Sequence, residues 1–293
     1  WPFIEILKNC FAIQDDDAED ESWRKLEQGL QALFAERAPE LLPYLATVLT
    51  LRVPPAYEDR VKYLDGQGLG RQVFLCMRQL FQQLALRQPL VLLLEDWHWA
   101  DQSSIELAEH LLPLTDTTPL LAFFVTRPDP EGPASHIRQF ASRNPGGRFR
   151  EVTLAPLSQE QSTALVGNLV GTLDLPEALI GQILRKTEGN PFFIEEVIRS
   201  LVTDGVLVRG SREHPWKLVK PVDQVNLPDT IQGLLLARID RLDEEVKQAL
   251  KLASVIGRNF FQRVLHAISE AQRDLDSSLA DLEHAELVRQ TQQ

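Results

Sequence analysis

The spacing of apolar residues predicts a helical beginning for the chain. A helical period covers Trp23–Arg37 and returns over Gly70–Leu86. It stops between these segments, near Pro39 and Pro43, because proline lacks the N–H that a helix interior needs. The acidic run DDDAEDE at residues 15–21 is expected to form a solvated loop.

Two short, wholly apolar runs in the middle of the chain predict buried strands. Leu90–Leu94 and Leu120–Val125 are apolar at every position, which is typical of parallel strands covered by helices on both faces. Ser103–Leu112 lies between them and has a helical period. The order strand, helix, strand therefore predicts an α/β fold with a parallel sheet, and Val152–Leu154 is a candidate for a further strand.

Capping signals mark the starts of two helices. Ser103 with Glu106 and Ser158 with Gln161 have the spacing of a capping box, in which each side chain binds the other residue's backbone N–H. The first box would start the helix between the two apolar runs. The second would start a largely helical second half of the chain.

The second half is expected to be helical apart from one hairpin. A helix containing Phe192–Val202 should end at the C-cap signal Asp204-Gly205. The hairpin would use Val206–Gly210 and Trp216–Val219 as its two arms. Beyond it, the apolar period predicts helices at about 229–240, 243–255, 260–268 and 274–284.

Composition is that of a globular protein in a reducing compartment. The 293 residues are 44% hydrophobic and 25% charged, which suits two or three domains. Two cysteines, Cys10 and Cys76, do not make a disulfide framework, so a cytoplasmic location is expected. No apolar run approaches the roughly 18 residues of a membrane span, and the first residues do not resemble a signal peptide. The net charge of -12 disfavours nonspecific binding to nucleic acid or anionic lipid.

The strongest chemical signal is an acidic pair at the end of the first apolar run. Glu95 and Asp96 directly follow Leu90–Leu94, and parallel sheets bind ligands at the carboxyl ends of their strands. One carboxylate there can hold Mg²⁺, directly or through water, while its neighbour orients or deprotonates a water that attacks phosphorus. A plain solvated turn has the same short pattern, so the tail WHWAD at Trp97–Asp101 makes the signal specific.

Two further motifs become informative when they are considered together with the acidic pair. Thr126 and Arg127 follow the second apolar run, so they should reach the same sheet edge, where a cation can stabilise the charge of a phosphoryl group. Gly189, Asn190 and Pro191 end one helical segment and open the next. On their own, a surface arginine and an ordinary interhelical turn would explain both motifs.

Together the motifs resemble the STAND group of AAA+ ATPases, in the form attached to class III adenylate cyclases, LuxR-type transcription regulators and some serine/threonine kinases. VLLLEDWHWAD at residues 91–101 is similar to the family's Walker B segment. FFVTRP at residues 123–128 is similar to its sensor 1 segment, and KTEGNPFFIEE at residues 186–196 to its GxP motif. The resemblance implies a P-loop NTPase module that binds and hydrolyses ATP with Mg²⁺.

The resemblance also implies a role for each matched residue. Glu95 takes the position that holds Mg²⁺, directly or through water, and Asp96 that of the acid that activates water. Thr126 and Arg127 match the sensor, in which the arginine reads the γ-phosphate. Pro191, the last residue of the GxP motif, would pack against the adenine.

By the same resemblance the chain divides into three domains with ATP held between the first two. The expected domains are a partial nucleotide-binding α/β domain with a helical insertion at 1–157, a helical lid with the GxP turn and the hairpin at 158–227, and a winged-helix-like domain at 228–293.

The phosphate-binding loop of the family is missing from the sequence. There is no G-x-x-x-x-G-K-[ST] motif and no Gly-Lys dipeptide, and GQGLGR at residues 66–71 has the context of a turn that opens a helix. In the family this loop lies shortly before the stretch that Trp1-Pro2-Phe3 resembles. The resemblance therefore implies a longer chain. By the AAA+ strand order, its missing first strand would lie between Leu120–Val125 and Val152–Leu154, and the loss of that strand would expose apolar strand edges.

The implied function is a nucleotide-operated switch that controls an effector domain in the same chain, with nucleotide-dependent self-association as a further expectation. Two alternatives stay open: a DNA-binding transcription regulator acting through residues 228–293, and a catalytically inactive protein-interaction scaffold. Against the first, residues 228–293 contain eight Lys and Arg against eleven Asp and Glu, a net of -3. Against the second, Glu95, Asp96, Arg127 and Pro191 are retained together.

The negative charge of residues 228–293 predicts that they do not bind duplex DNA through its phosphates. In a titration of this segment with duplex DNA we expect no affinity that falls steeply with added salt, because such a slope reports phosphates neutralised by Lys and Arg. A steep salt dependence would instead favour the transcription regulator.

Overall fold

The structure is a computed structural model that describes residues 2–143, 148–171, 175–210, 216–225, 227–228, 230–257, 260–269 and 275–290. The chain forms two compact units, Trp1–Glu151 and Val152–Gln293. Helices predominate in both units, and each unit contains a two-stranded sheet. Across the described ranges, no helix is both long and apolar enough to cross a membrane.

The first unit packs helices against a parallel pair of strands. Its elements are α1 (Pro2–Cys10), α2 (Glu19–Phe34), α3 (Ala38–Val48), α4 (Pro55–Glu58), α5 (Gly66–Arg87), β1 (Leu90–Leu94), α6 (Gln102–Leu111), β2 (Leu120–Phe124) and α7 (Ala134–Arg143). Short 3₁₀ turns occupy Ala35–Arg37, Trp97–Trp99 and Leu112–Asp116.

The predicted strand, helix, strand order is confirmed, with β1 and β2 paired in parallel. Leu90 lies opposite Leu120 and Leu94 opposite Phe124. The connection contains α6, which is the helical crossover that parallel neighbours require. One face of the pair packs into the core of the unit, where Leu92 joins residues of α1, α3, α5 and α6.

The expectation that both faces of the strands are buried was wrong for the described residues. Alternate positions are exposed by 51% to 58%, against 5% for Leu92 and 2% for Leu94; the exposed positions are Val91, Leu93, Leu121, Phe123 and Val125. Val152–Leu154 also forms no strand and lies exposed. Successive side chains along a strand point to opposite sides. The sheet therefore has one covered face and one uncovered apolar face.

Two smaller expectations about the first unit were also wrong. α3 continues through Pro43, which is buried in the helix beside Leu42 and Leu45, so apolar burial outweighs the lost backbone hydrogen bond. The acidic run is a loop only over residues 15–18, because Glu19, Asp20 and Glu21 form the first turn of α2. The ammonium group of Lys8 pairs with the carboxylate of Asp15, and Lys25 Nζ lies 2.6 Å from Asp17 Oδ2.

The second unit consists of helices and the predicted hairpin. Its elements are α8 (Gln159–Val170), α9 (Glu177–Thr187), α10 (Pro191–Thr203), β3 (Leu207–Arg209), β4 (Trp216–Leu218), α11 (Ile231–Asp240), α12 (Glu244–Ile256), α13 (Gln262–Ile268) and α14 (Leu275–His284), with a 3₁₀ turn at Val222–Gln224. β3 and β4 pair antiparallel. The four helices predicted after the hairpin are confirmed, and the described part of residues 228–293 contains no strand.

The first helix of the second unit, α8, begins at the expected capping box. Ser158 N–H donates to Gln161 Oε1 at 2.9 Å, and Gln161 N–H donates to Ser158 Oγ at 3.2 Å. Both hydrogen bonds of the box are therefore present, which satisfies two of the N–H groups that the first turn of a helix leaves free. At the other end of the segment, α10 stops before Gly205, which has a positive φ of 65°.

The second unit has two separate hydrophobic cores. The first, here called the α8–α11 core, contains buried side chains from α8, α9, α10 and α11 together with β3. The second, here called the C-terminal core, contains buried side chains from α12, α13 and α14. The two cores are therefore built from different helices of the same unit.

The two faces of β1 predict opposite responses to the same substitution. Leu92→Thr should lower the free energy of unfolding by about 2–4 kcal/mol, because it places a hydroxyl in the core and leaves a cavity. Leu93→Thr should change it by less than about 0.5 kcal/mol and should reduce aggregation. Urea unfolding and light scattering of the two variants measure both effects. Equal losses of stability would show that the outer face is covered as well.

Candidate functional site

The ends of β1 and β2 bring two of the predicted motifs together. Val125 N–H donates to the carbonyl oxygen of Leu94 at 2.9 Å, and Trp97 N–H donates to that of Val125 at 2.9 Å. The pairing thus continues beyond both strands and fixes the backbone of Glu95-Asp96 beside that of Thr126-Arg127. Their side chains emerge at one edge of the sheet, as expected for the carboxyl ends of parallel strands.

Trp97 anchors the turn that carries the acidic pair. Its side chain is 1% exposed and packs edge-on against Phe124, with the ring centroids 5.0 Å apart. Asp96 just before it adopts a left-handed conformation, with φ 51° and ψ 33°, which Asp and Asn tolerate better than most residues. Burial of Trp97 therefore holds a sharp turn at which Glu95 and Asp96 remain exposed.

Asp101, the last residue of the WHWAD tail, caps α6. Its carboxylate accepts hydrogen bonds from Ser104 N–H and from Ser104 Oγ, each at 2.9 Å. Burial alone would raise the pKa of the Asp101 carboxyl, but these hydrogen bonds outweigh it, and the pKa lies below its usual range. The predicted box of Ser103 with Glu106 was wrong, because Asp101 starts the helix two residues earlier.

The exposed carboxylates suit Mg²⁺ that arrives with a nucleotide. In the described part of the chain, no three His, Cys, Asp or Glu side chains are grouped so that they could hold a metal ion. Mg²⁺ is usually held by one or two carboxylates, with waters and substrate phosphates as its other ligands. Glu95 and Asp96 can supply these one or two carboxylates. They are too few to form a metal site from protein ligands alone.

The sensor-like pair lies next to the acids and is accessible. Arg127 is exposed, and Thr126 is half-buried with its Oγ1 donating to the carbonyl oxygen of Arg127 at 3.2 Å. A guanidinium in this position can form a bidentate contact, in which two of its N–H groups donate to two phosphate oxygens. Loop amides and a lysine that would surround the β- and γ-phosphates are not encoded in the sequence.

The third motif forms the turn between α9 and α10, in the second unit. Gly189 has a φ of 76°, and a Cβ atom there would lie 2.3 Å from the carbonyl oxygen of Leu157. Asn190 caps α10 by accepting a hydrogen bond from Phe193 N–H at 3.3 Å, and Pro191 is the first residue of the helix. Folding requirements thus account for Gly189 and Asn190, while Pro191 is exposed and available to a ligand.

Some important residues were missed or only partly understood from the sequence. The burial of Trp97 and the 77% exposure of Trp99 are not visible in the WHWAD pattern. Both ring nitrogens of His98 are buried, and within the described residues neither has a hydrogen-bond partner. Glu196 in α10 is a buried carboxylate, and the motif FFIEE does not indicate that this side chain is buried.

Comparison with known proteins identifies one matching segment. A family model described as a domain of unknown function (DUF8739) matches residues 158–207, which run from the cap of α8 through α10 to the start of β3. Comparison with curated proteins and with solved structures produced no match. The matched segment includes the Gly189–Pro191 turn and Glu196, and it does not include the acidic pair.

Gly189 and Gly171 provide a matched test of the turn. Both have positive φ, 76° and 71°, but a Cβ at Gly171 would have open space around it. Gly171→Ala should therefore cost only the backbone penalty of about 1–2 kcal/mol. Gly189→Ala should cost about 1–3 kcal/mol more, because it also forces Leu157 away. Chemical unfolding of both variants measures the difference, and equal costs would show that the turn and Leu157 are not in tight contact.

Proposed function

We propose that this chain is part of an ATP-operated switch of the STAND type, built on the sheet of a P-loop NTPase. The observation that carries the proposal is the parallel pairing of β1 with β2, which places Glu95-Asp96 beside Thr126-Arg127. Carboxylates and a cation at adjacent strand ends are the groups that bind and activate a magnesium nucleotide.

The uncovered face of the sheet supports the same proposal. Parallel sheets are almost always covered on both faces. Here five apolar side chains remain about half exposed: four belong to β1 and β2, and the fifth is Val125, directly after β2. A further part of an α/β domain, outside these 293 residues, would cover this face. In the proposal that part also supplies the phosphate-binding loop that the sequence lacks.

Each motif residue has a role in the proposal. When bound, Mg²⁺ would neutralise charge on the phosphates. Glu95 holds it, directly or through water, and Asp96 orients or deprotonates the attacking water. Arg127, next to Thr126, binds the γ-phosphate.

In the second unit, Pro191 contacts the adenine, and Gly189 and Asn190 shape the turn that presents it. The three predicted domains, including a winged-helix-like one at 228–293, are part of the proposal. So are an effector domain in the same chain, such as a cyclase, a kinase or a transcription regulator, and a cytoplasmic location.

The proposal predicts a division of labour between the two acids. In a chain that also contains a phosphate-binding loop, Asp96→Asn should lower ATP turnover about 100-fold or more and spare ATP binding, because it removes a general base. Asparagine keeps the left-handed conformation of residue 96, so loss of folding is not expected. Glu95→Gln should instead weaken the dependence of ATP binding on Mg²⁺.

Asp101→Asn is the matched control for this experiment. It removes a carboxylate from the same tail, but Asn caps a helix as well as Asp does, so turnover should stay at the parent rate. Turnover near the parent rate in Asp96→Asn would exclude this residue as the base. Absence of turnover in the parent protein would favour the inactive scaffold.

A further inference from the structure

The two cores of the second unit meet at a buried acidic residue. Among the described residues, no apolar side chain belongs to both the α8–α11 core and the C-terminal core. Glu196 lies in the middle of α10 with its side chain only 4% exposed, next to the buried Val197. A buried carboxylate is costly unless it is paired, so its partners are informative.

Glu196 holds two arginines, one on each carboxylate oxygen. Arg199 Nη1 donates to Oε1 at 3.0 Å, and Arg238 Nη1, from α11, donates to Oε2. The Arg238 side chain is only 13% exposed. Charge-assisted hydrogen bonds of this kind are stronger where water is excluded.

Both arginines also reach the C-terminal end of α14. Arg238 Nη2 donates to the carbonyl oxygen of Ala285, and Arg199 Nη1 lies 2.6 Å from Oε2 of Glu286. Carbonyl groups at this end of a helix lack partners within the helix and carry partial negative charge, so a guanidinium suits them. The contacts form two bridges, each running from Glu196 through an arginine to the end of α14.

α11 is attached to α10 by further contacts that do not involve α14. Leu234 of α11 is buried in the α8–α11 core, and Arg241, directly after α11, is paired with Asp204, directly after α10. Only Arg241–Asp243 separate α11 from α12. This short connection is a natural pivot for the C-terminal core, because that core has its own buried side chains and can move as one body.

We propose that Glu196, Arg199 and Arg238 form a latch that holds the C-terminal core on α10 and releases it as a unit when the two bridges open. Glu196 is the positioning residue, because it orients both arginines, and among the described residues it has no hydrogen bond or ion pair with α14. α10 begins at the turn of Gly189–Pro191, so a displacement of that turn acts on Glu196 through a single helix. The latch depends on contacts inside the second unit and stands without the proposed nucleotide function.

Hydrogen exchange of the 293-residue chain, followed by mass spectrometry, tests the latch. Glu196→Gln keeps the shape of the side chain and removes the charge that holds both arginines. Backbone amides of α12–α14 should then exchange about tenfold faster or more, while those of α8 and α9 keep their protection. Glu195→Gln is the matched control: it makes the same change at the exposed neighbouring position and should exchange like the parent.

Two milder variants complete the test. Glu286→Gln and Arg199→Gln both weaken the bridge through Arg199 and leave the bridge through Arg238 in place, so each should cause a smaller increase confined to α12–α14. Unchanged exchange of α12–α14 in Glu196→Gln, or an equal increase in α8 and α9, would overturn the latch. If Glu196→Gln does not fold, the milder variants decide the matter, since no increase, or an increase across both cores, contradicts the proposal.

Discussion

The parallel pairing of β1 with β2 is the interaction on which the candidate site depends. It places the residues after both strands at one edge, and the backbone hydrogen bonds of Val125 to Leu94 and Trp97 extend the register past the strand ends. A shift of one residue would turn every side chain of a strand to the other face. Leu92 and Leu94 would then leave the core, so the apolar core and the site are specified by the same register.

The residues of the motifs separate into those that the fold needs and those that it does not. Asp101 caps α6, Asn190 caps α10, and Gly189 allows the close approach of Leu157. These residues would be required even in a protein without a ligand. The motif residues that lie exposed, and whose retention argues for chemistry, are Glu95, Asp96, Arg127 and Pro191.

Local signals in the sequence were sufficient where a single interaction dominates. The capping box of Ser158, the hairpin and the four helices after it were all predicted, because their determinants lie within a few residues. The signal at Ser103 was misleading, since Asp101 caps α6 two residues earlier, through the N–H of Ser104. Periodicity also could not show which face of β1 is covered, or that Glu196 is buried and bound by Arg238, because both depend on residues far away in the chain.

The central claim is that the strand ends form one part of an ATP site that needs a phosphate-binding loop from outside these 293 residues. Calorimetric titration of Mg²⁺-ATP into this chain, and into a longer chain that includes such a loop, tests it most directly. An exposed pair between Arg127 and a phosphate is worth at most about 1 kcal/mol, so this chain should show no micromolar binding. The longer chain should bind ATP and melt at a higher temperature. Micromolar, Mg²⁺-dependent binding by the soluble monomer of residues 1–293 would contradict the account, because the site would then be complete without the loop.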